Sequence, residues 1–346
     1  MRVHRFAATV TAMAAAGSML AACGSSPGSG SGESITLYSG QHVQTTQSLV
    51  SGFTAATGIK VSLRSDDEDT LADQIVAEGS HSPADVLFTE NSPPLEFLQG
   101  KGLLAKVDAA TLARTPGKYS SPGGDWVGVS ARVSVIIYNP SLIKESQLPA
   151  TTLQLASPRY RDKLAIAPSE TDFQPIVTAM ARSHGTAATL RWLAEVKSNA
   201  ASHSYPDNET LSDQVNRGAV AFGVINQYYW YRMRAQLGAA SVHSAIAHFA
   251  AGDPGYVVDV SGAAVLKSST HQAAAQRFLA YLVSKAGQDV IANPAKSISF
   301  EYPVGSGVTT LAPETPLSEL RPYPISVAQL GTGLPAISLL KQAGLL

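Results

Sequence analysis

The stretch ITLYSGQHVQTTQSLVSGFTAATGIKVSL, residues 35–63, decides the architecture. It opens on a short apolar strand at residues 35–38. Residues 45–56 read as a helix, because Leu49, Val50 and Phe53 share one face and Gly58 stands just past the end. Ile59, Val61 and Leu63 then alternate with polar residues, as a strand with one covered face requires. Further on, residues 69–78 form a second helix with Leu71, Ile75 and Val76 inward and Gly79 as its stop. Residues 85–89 read as a buried strand, and Pro93 and Pro94 open a third helix carrying Leu95 and Leu98. Strand, helix, strand, helix, strand predicts a parallel, doubly wound sheet.

The same grammar repeats downstream. Residues 132–138 are β-branched at Val133, Val135, Ile136 and Ile137 and read as a strand, as do residues 164–167, 219–225 and 262–266. Helices are expected at 173–183, 186–197, 208–216 and 226–236. Another spans 271–284 and buries Ala275, Phe278, Leu279 and Leu282. The chain has 346 residues, too many for one small core and enough for two α/β lobes. Ligands of open α/β sheets sit beyond the carboxyl ends of the strands, so the cleft between lobes is the place to look for chemistry.

The N-terminus reads as a processing signal that is not part of the folded domain. Arg2 and Arg5 precede an apolar, Ala-rich stretch at residues 6–22, of signal-peptide length. Leu20-Ala21-Ala22-Cys23 resembles a bacterial lipobox, which implies that residues 1–22 are a signal peptide and that Cys23 carries lipid. Cys23 is the only cysteine, so a disulfide framework is excluded. Residues 23–33 are the lipidated Cys and a Gly/Ser tether without apolar side chains. The domain is therefore expected outside the cytoplasm, anchored to a membrane by lipid alone. Without Arg2 and Arg5 the chain keeps 23 basic against 26 acidic residues, a formal −3. There is no basic run, which excludes nucleic acid as a partner.

Three strand ends carry side chains of one chemical kind. His42 follows the first strand, Glu90 follows the strand at 85–89, and Asn226-Gln227-Tyr228-Tyr229 follows the strand at 219–225. A carboxylate and two phenols are hard oxygen donors, and an imidazole adds a borderline nitrogen. A phenol ionises near ~10, so only a strong Lewis acid displaces its proton at neutral pH. Two phenolates and one carboxylate balance Fe³⁺. Zinc sites favour Cys and His, and Mg²⁺ and Ca²⁺ sites favour carboxylates and carbonyls, so neither matches a Tyr pair.

These residues and their surroundings resemble the bacterial ferric-iron-binding proteins. The resemblance runs through Tyr38-Ser39-Gly40-Gln41-His42, Thr57-Gly58-Ile59-Lys60-Val61, Pro83-Ala84-Asp85-Val86 and Thr89-Glu90. It continues through residues 225–232 and 260–267 to Phe300-Glu301-Tyr302-Pro303-Val304. It implies a two-lobed type II periplasmic-binding-protein fold, α/β in both lobes, with two crossover strands near residues 130–133 and 257–261 as hinge. Residues 34–131 with 260–308 would then form the first lobe, and 132–259 with 309–346 the second. The resemblance also implies ferric iron held by His42, Glu90, Tyr228 and Tyr229, and an ABC-type iron permease as the partner of a monomer.

In that family a phosphate or carbonate often completes the iron shell, with Asn residues that fall here on Asn208 and Asn226. The loop that would cradle the anion reads Ser169-Glu170-Thr171-Asp172 ahead of Phe173. Two carboxylates aimed at an anion would repel it. Two arrangements are expected: Glu170 or Asp172 takes the anion's place, or Ser169 and Thr171 bind it while the acids face solvent. Relatives of the fold carry thiamine, polyamines, phosphonates or sulfate, and a small organic or anionic solute is the alternative cargo. An enzyme is not indicated. Gly24-Ser25-Ser26-Pro27-Gly28 matches G-x-S-x-G only within the tether, and Ser141-Leu142-Ile143-Lys144 lacks the motifs that accompany S-x-x-K.

Overall fold

A computed structural model describes residues 32–305 and 307–346. The expected signal peptide and the expected lipid-bearing Cys23 lie outside the described residues. In chain order the strands are β1 (Ser34–Ser39), β2 (Lys60–Ser65), β3 (Val86–Thr89), β4 (Val127–Tyr138), β5 (Leu164–Ala165), β6 (Phe222–Asn226), β7 (Ala245–Ala247), β8 (Val258–Val265) and β9 (Tyr302–Pro303). The first six helices are α1 (Val43–Thr57), α2 (Glu68–Glu78), α3 (Pro93–Gly100), α4 (Ala109–Leu112), α5 (Gln174–His184) and α6 (Thr186–Ala200). Then come α7 (Asn208–Asn216), α8 (Gln227–Leu237), α9 (Gln272–Leu282), α10 (Lys285–Ala292), α11 (Val327–Leu330) and α12 (Leu334–Gln342).

The strands follow the path β2-β1-β3-β8-β4-β6-β5, with β7 and β9 also beside β4. Strands β1, β2 and β3 are parallel, and so are β5 and β6. The pairs β3/β8, β8/β4 and β4/β6 are antiparallel. The expected parallel pairing is found in β1–β3, and the crossover strands add antiparallel pairs that make the whole sheet mixed. The chain crosses between lobes on β4 and returns on β8, and two strands running in opposite senses can only pair antiparallel. All twelve residues of β4 are buried. Residues 127–133 pair with β8 and residues 134–138 with β6, so β4 belongs to both lobes. The fold is the two-lobed α/β architecture of a type II periplasmic-binding protein, hinged on β4 and β8.

One core lies where α1 and α9 cover the β1–β3 side of the sheet. Phe53 and Phe278 meet edge-on at 5.0 Å among Ile35, Leu37, Leu49 and Leu279. Gly58 ends α1 in the left-handed region at φ 75°, as its position in the sequence predicts. Replacing Phe278 with Ala is expected to cost about 3–5 kcal/mol through lost burial and a residual cavity. A lower urea midpoint at unchanged slope would show this. A second core gathers Phe173, Met180, Trp192, Leu193 and Val196, and α12 packs on α5 and α6.

Candidate metal centre

Each candidate side chain is delivered by the end of a strand. His42 stands at the N-cap of α1, just past β1. Glu90 lies between β3 and α3. Tyr228 and Tyr229 occupy the first turn of α8, past β6, with Asn226 as the N-cap. The four converge. Glu90 Oε1 lies 2.8 Å from His42 Nε2 and accepts a 2.5 Å hydrogen bond from the Tyr228 hydroxyl. The imidazole meets both phenol rings edge-on, at 5.2 Å from Tyr228 and 5.8 Å from Tyr229. The two phenol rings are themselves 4.2 Å apart.

The 169–172 loop is divided. Asp172 is buried against the cluster, and its Oδ2 accepts from the Tyr228 hydroxyl at 3.2 Å and from Asn208 Nδ2 at 3.1 Å. Its Oδ1 accepts from Asn91 Nδ2 at 3.1 Å, and the same amide donates to Thr171 Oγ1 at 3.0 Å. Ser169 is not brought in: it is exposed and donates to the Pro206 carbonyl at 3.0 Å. Glu170 is only partly buried, and no hydrogen bond ties its side chain to the described residues of the cluster. Asn226 is buried, but its side chain makes no capping bond.

Three side chains that were not among the candidates hold this arrangement. Glu68 is buried, and its carboxylate accepts from the backbone N–H groups of Glu90 at 2.6 Å and Asn91 at 2.9 Å. Gly40 makes room for it: a Cβ there would fall 2.4 Å from Glu68 Cβ. Asn91 bridges Glu68 to Thr171 and Asp172. Arg132, wholly buried on β4, lies 3.5 Å from Glu90 Oε1, 2.8 Å from Glu301 Oε2 and 5.2 Å from the Tyr228 ring centroid. A signal for Arg132 was present, since a lone charge in an apolar strand must have a buried partner. Glu68 gave none, because the run Asp66-Asp67-Glu68-Asp69 reads as solvated acids at a helix start.

The electrostatics oppose each other. Burial pushes the Glu90 carboxyl up, but the His42 and Arg132 charges and the hydrogen bonds from His42 and Tyr228 outweigh it and bring it down to about 2. Burial, then the Asp172 and Glu90 charges, push both Tyr228 and Tyr229 well above the usual phenol range. Burial and the Glu90 charge raise Asp172 to about 6, against Arg132 and its own hydrogen bonds. Burial and the neighbouring acids raise Glu170 to about 9. The result is a nest of protonated phenols beside an ionised carboxylate. Among the described residues no group of three or more His, Cys, Asp and Glu side chains is arranged to hold a metal, so a metal here needs the phenols.

Two α/β lobes joined by crossover strands, with polar groups gathered between them, define a solute-binding protein. Residues 39–289 match the bacterial extracellular solute-binding protein family. The Fe(3+)-binding periplasmic protein of Serratia marcescens is 40% identical over 331 residues, covering 96% of each chain. The crystal structure of iron-bound HitA from Pseudomonas aeruginosa superposes with a TM-score of 0.85 at 38% identity, over 90% of this chain and 99% of that one. The Trichodesmium protein IdiA (FutA), in complex with iron and citrate, does so at 0.76 and 29% identity, over 90% and 99%. This chain therefore belongs to the bacterial extracellular solute-binding proteins and, within them, to the ferric-iron-binding protein family. That family serves transport and is not a family of enzymes.

Proposed function

We propose that this protein binds Fe³⁺ between its lobes through His42, Glu90, Tyr228 and Tyr229 and delivers it to an ABC-type permease. The convergence of His42 and Tyr228 on one oxygen of Glu90, with the Tyr229 ring packed against both His42 and Tyr228, carries the reading. His42 and Glu90 belong to the lobe of residues 34–131 with 260–308, and the Tyr pair to that of 132–259 with 309–346. Iron thus gains its full ligand set only when the lobes close, and the permease reads the closed shape. Cys23 carries the lipid that keeps this monomer at the membrane, outside the cytoplasm.

Asp172 stands where a synergistic phosphate or carbonate would complete the shell, held by Asn91 and Asn208. Asn226 and Thr171 line its surroundings, while Ser169 and Glu170 have no part in it. A fourth anionic ligand leaves one excess negative charge on the shell.

The test is a titration of chelator-stripped protein, starting at Gly24, with ferric nitrilotriacetate. The expected result is a visible phenolate-to-iron charge-transfer band saturating at one iron per chain, with no phosphate or carbonate retained after gel filtration. No band from folded protein overturns the ferric reading. One phosphate per iron overturns the role given to Asp172 and leaves the four other ligands standing.

A further inference from the structure

We infer that Glu301 is a positioning residue for this site: it holds Arg132 away from Glu90, so that the Glu90 carboxylate is free for iron. The inference rests on the ferric reading above.

Arg132 is wholly buried between two carboxylates, Glu301 at 2.8 Å and Glu90 at 3.5 Å. A buried guanidinium cannot be rehydrated, so it stays with whichever carboxylate is held more firmly in place. The fold gives that advantage to Glu301. Its side chain is fully buried, and Oε2 also accepts from the Ser130 hydroxyl and, at 3.4 Å, from Gln41 Nε2. Gln41 in turn donates to Ser261 Oγ at 3.0 Å and accepts the backbone N–H of His42 at 2.7 Å. One carboxylate thus ties both hinge strands to the loop that presents His42.

The segment carrying Glu301 is itself pinned. Phe300 adopts φ 53°, a left-handed conformation rare for a bulky aromatic residue. Its carbonyl accepts from Gln227 Nε2 at 3.1 Å, while Gln227 Oε1 accepts from the Val133 N–H at 2.8 Å. The Phe300 ring stacks on Tyr231 at 5.9 Å, and β9 pairs with β4 through Tyr302 and Ala131. These contacts hold a strained backbone in place beside the hinge. Without the Glu301 charge, the anion left nearest to Arg132 is Glu90. The guanidinium then closes the 3.5 Å gap and competes with iron for the oxygen that His42 and Tyr228 surround.

The test is a four-protein cycle of wild type, Glu301→Gln, Arg132→Met and the double variant, with ferric affinity measured by competition against nitrilotriacetate. Glu301→Gln is expected to weaken iron binding at least about tenfold. The double variant is expected to bind more tightly than Glu301→Gln alone, because the competitor has gone with its keeper. A purely structural Glu301 predicts the reverse, since a second buried deletion compounds the first. A double variant no tighter than Glu301→Gln, or a Glu301→Gln protein equal to wild type, overturns the inference. A wild type that takes no iron overturns the ferric reading itself, so the two failures are distinct. Where Glu301→Gln does not fold, Glu301→Met, which removes the charge at similar size, with and without Arg132→Met makes the same comparison, with the same outcomes deciding.

Discussion

The Tyr228→Phe/Tyr229→Phe double variant is expected to lose the charge-transfer band completely and to bind ferric iron more than about 10⁴-fold more weakly. The bound rests on the rule that losing even an outer partner of a metal ligand costs about 10–100-fold in affinity, so two direct ligands cost more. The substitution removes two oxygens and little else. Both rings are buried and packed against His42 and each other, and Phe retains that packing. It also removes the hydroxyl that donates to buried Glu90 and Asp172, so the iron-free variant is expected to be about 1–3 kcal/mol less stable than wild type. Stability and affinity should therefore separate: a modestly lower melting temperature without iron, and a lost thermal shift with it. A variant that keeps the band would move the phenolate elsewhere. Single variants sharpen the assignment. Tyr228 donates to both Glu90 and Asp172, so Tyr228→Phe also releases those carboxylates from their shared donor.

Much of this site was legible because its residues lie where strand ends must deliver side chains. The hydrophobic pattern placed β1, β3 and β6, and the ends of those strands picked out His42, Glu90 and the Tyr pair without any contact being known. Strand direction was not legible, since the apolar run at residues 132–138 is equally compatible with parallel and antiparallel neighbours. Residues 127–131 of β4 were missed because Gly128 and Ser130 interrupt the β-branched pattern. The supporting groups were hidden for a different reason. Glu68, Asn91 and Glu301 act through partners distant in sequence, such as Asn91 on Asp172 and Ser130 on Glu301. No local spacing encodes such pairs. The loop at residues 169–172 was readable in composition but not in direction: either acid could take the anion's place or both could face solvent, and only the folded backbone separates buried Asp172 from partly exposed Glu170.

Acidification is expected to release iron steeply, with the apparent dissociation constant rising about a hundredfold per pH unit below neutrality. Burial first, then the Asp172 and Glu90 charges, keep both phenols protonated in the iron-free protein across neutral pH. Iron must displace both protons, so added protons favour the iron-free form and affinity rises with pH. Glu90, at about 2, contributes no proton in this range. Asp172, at about 6, adds a third below that value and steepens the loss. Stability of the iron-free protein runs the other way. Asp172 is raised from 3.8 to about 6 and Glu170 from 4.5 to about 9, so between those limits the folded state binds more protons than the unfolded one. Their contribution is fully present below the unfolded values and is lost as pH rises through the folded ones. The gap between iron-loaded and iron-free melting temperatures should therefore widen with pH, and calorimetry at several values between about 5 and 8 reads it directly. An unbuffered titration near pH 7.5 counts the protons, after correction for the one taken up by freed nitrilotriacetate. Two protons per iron are expected. One would mean that a phenol stays protonated when iron binds, and the balance of three negative ligands against Fe³⁺ would then have to include Asp172 in place of one tyrosine.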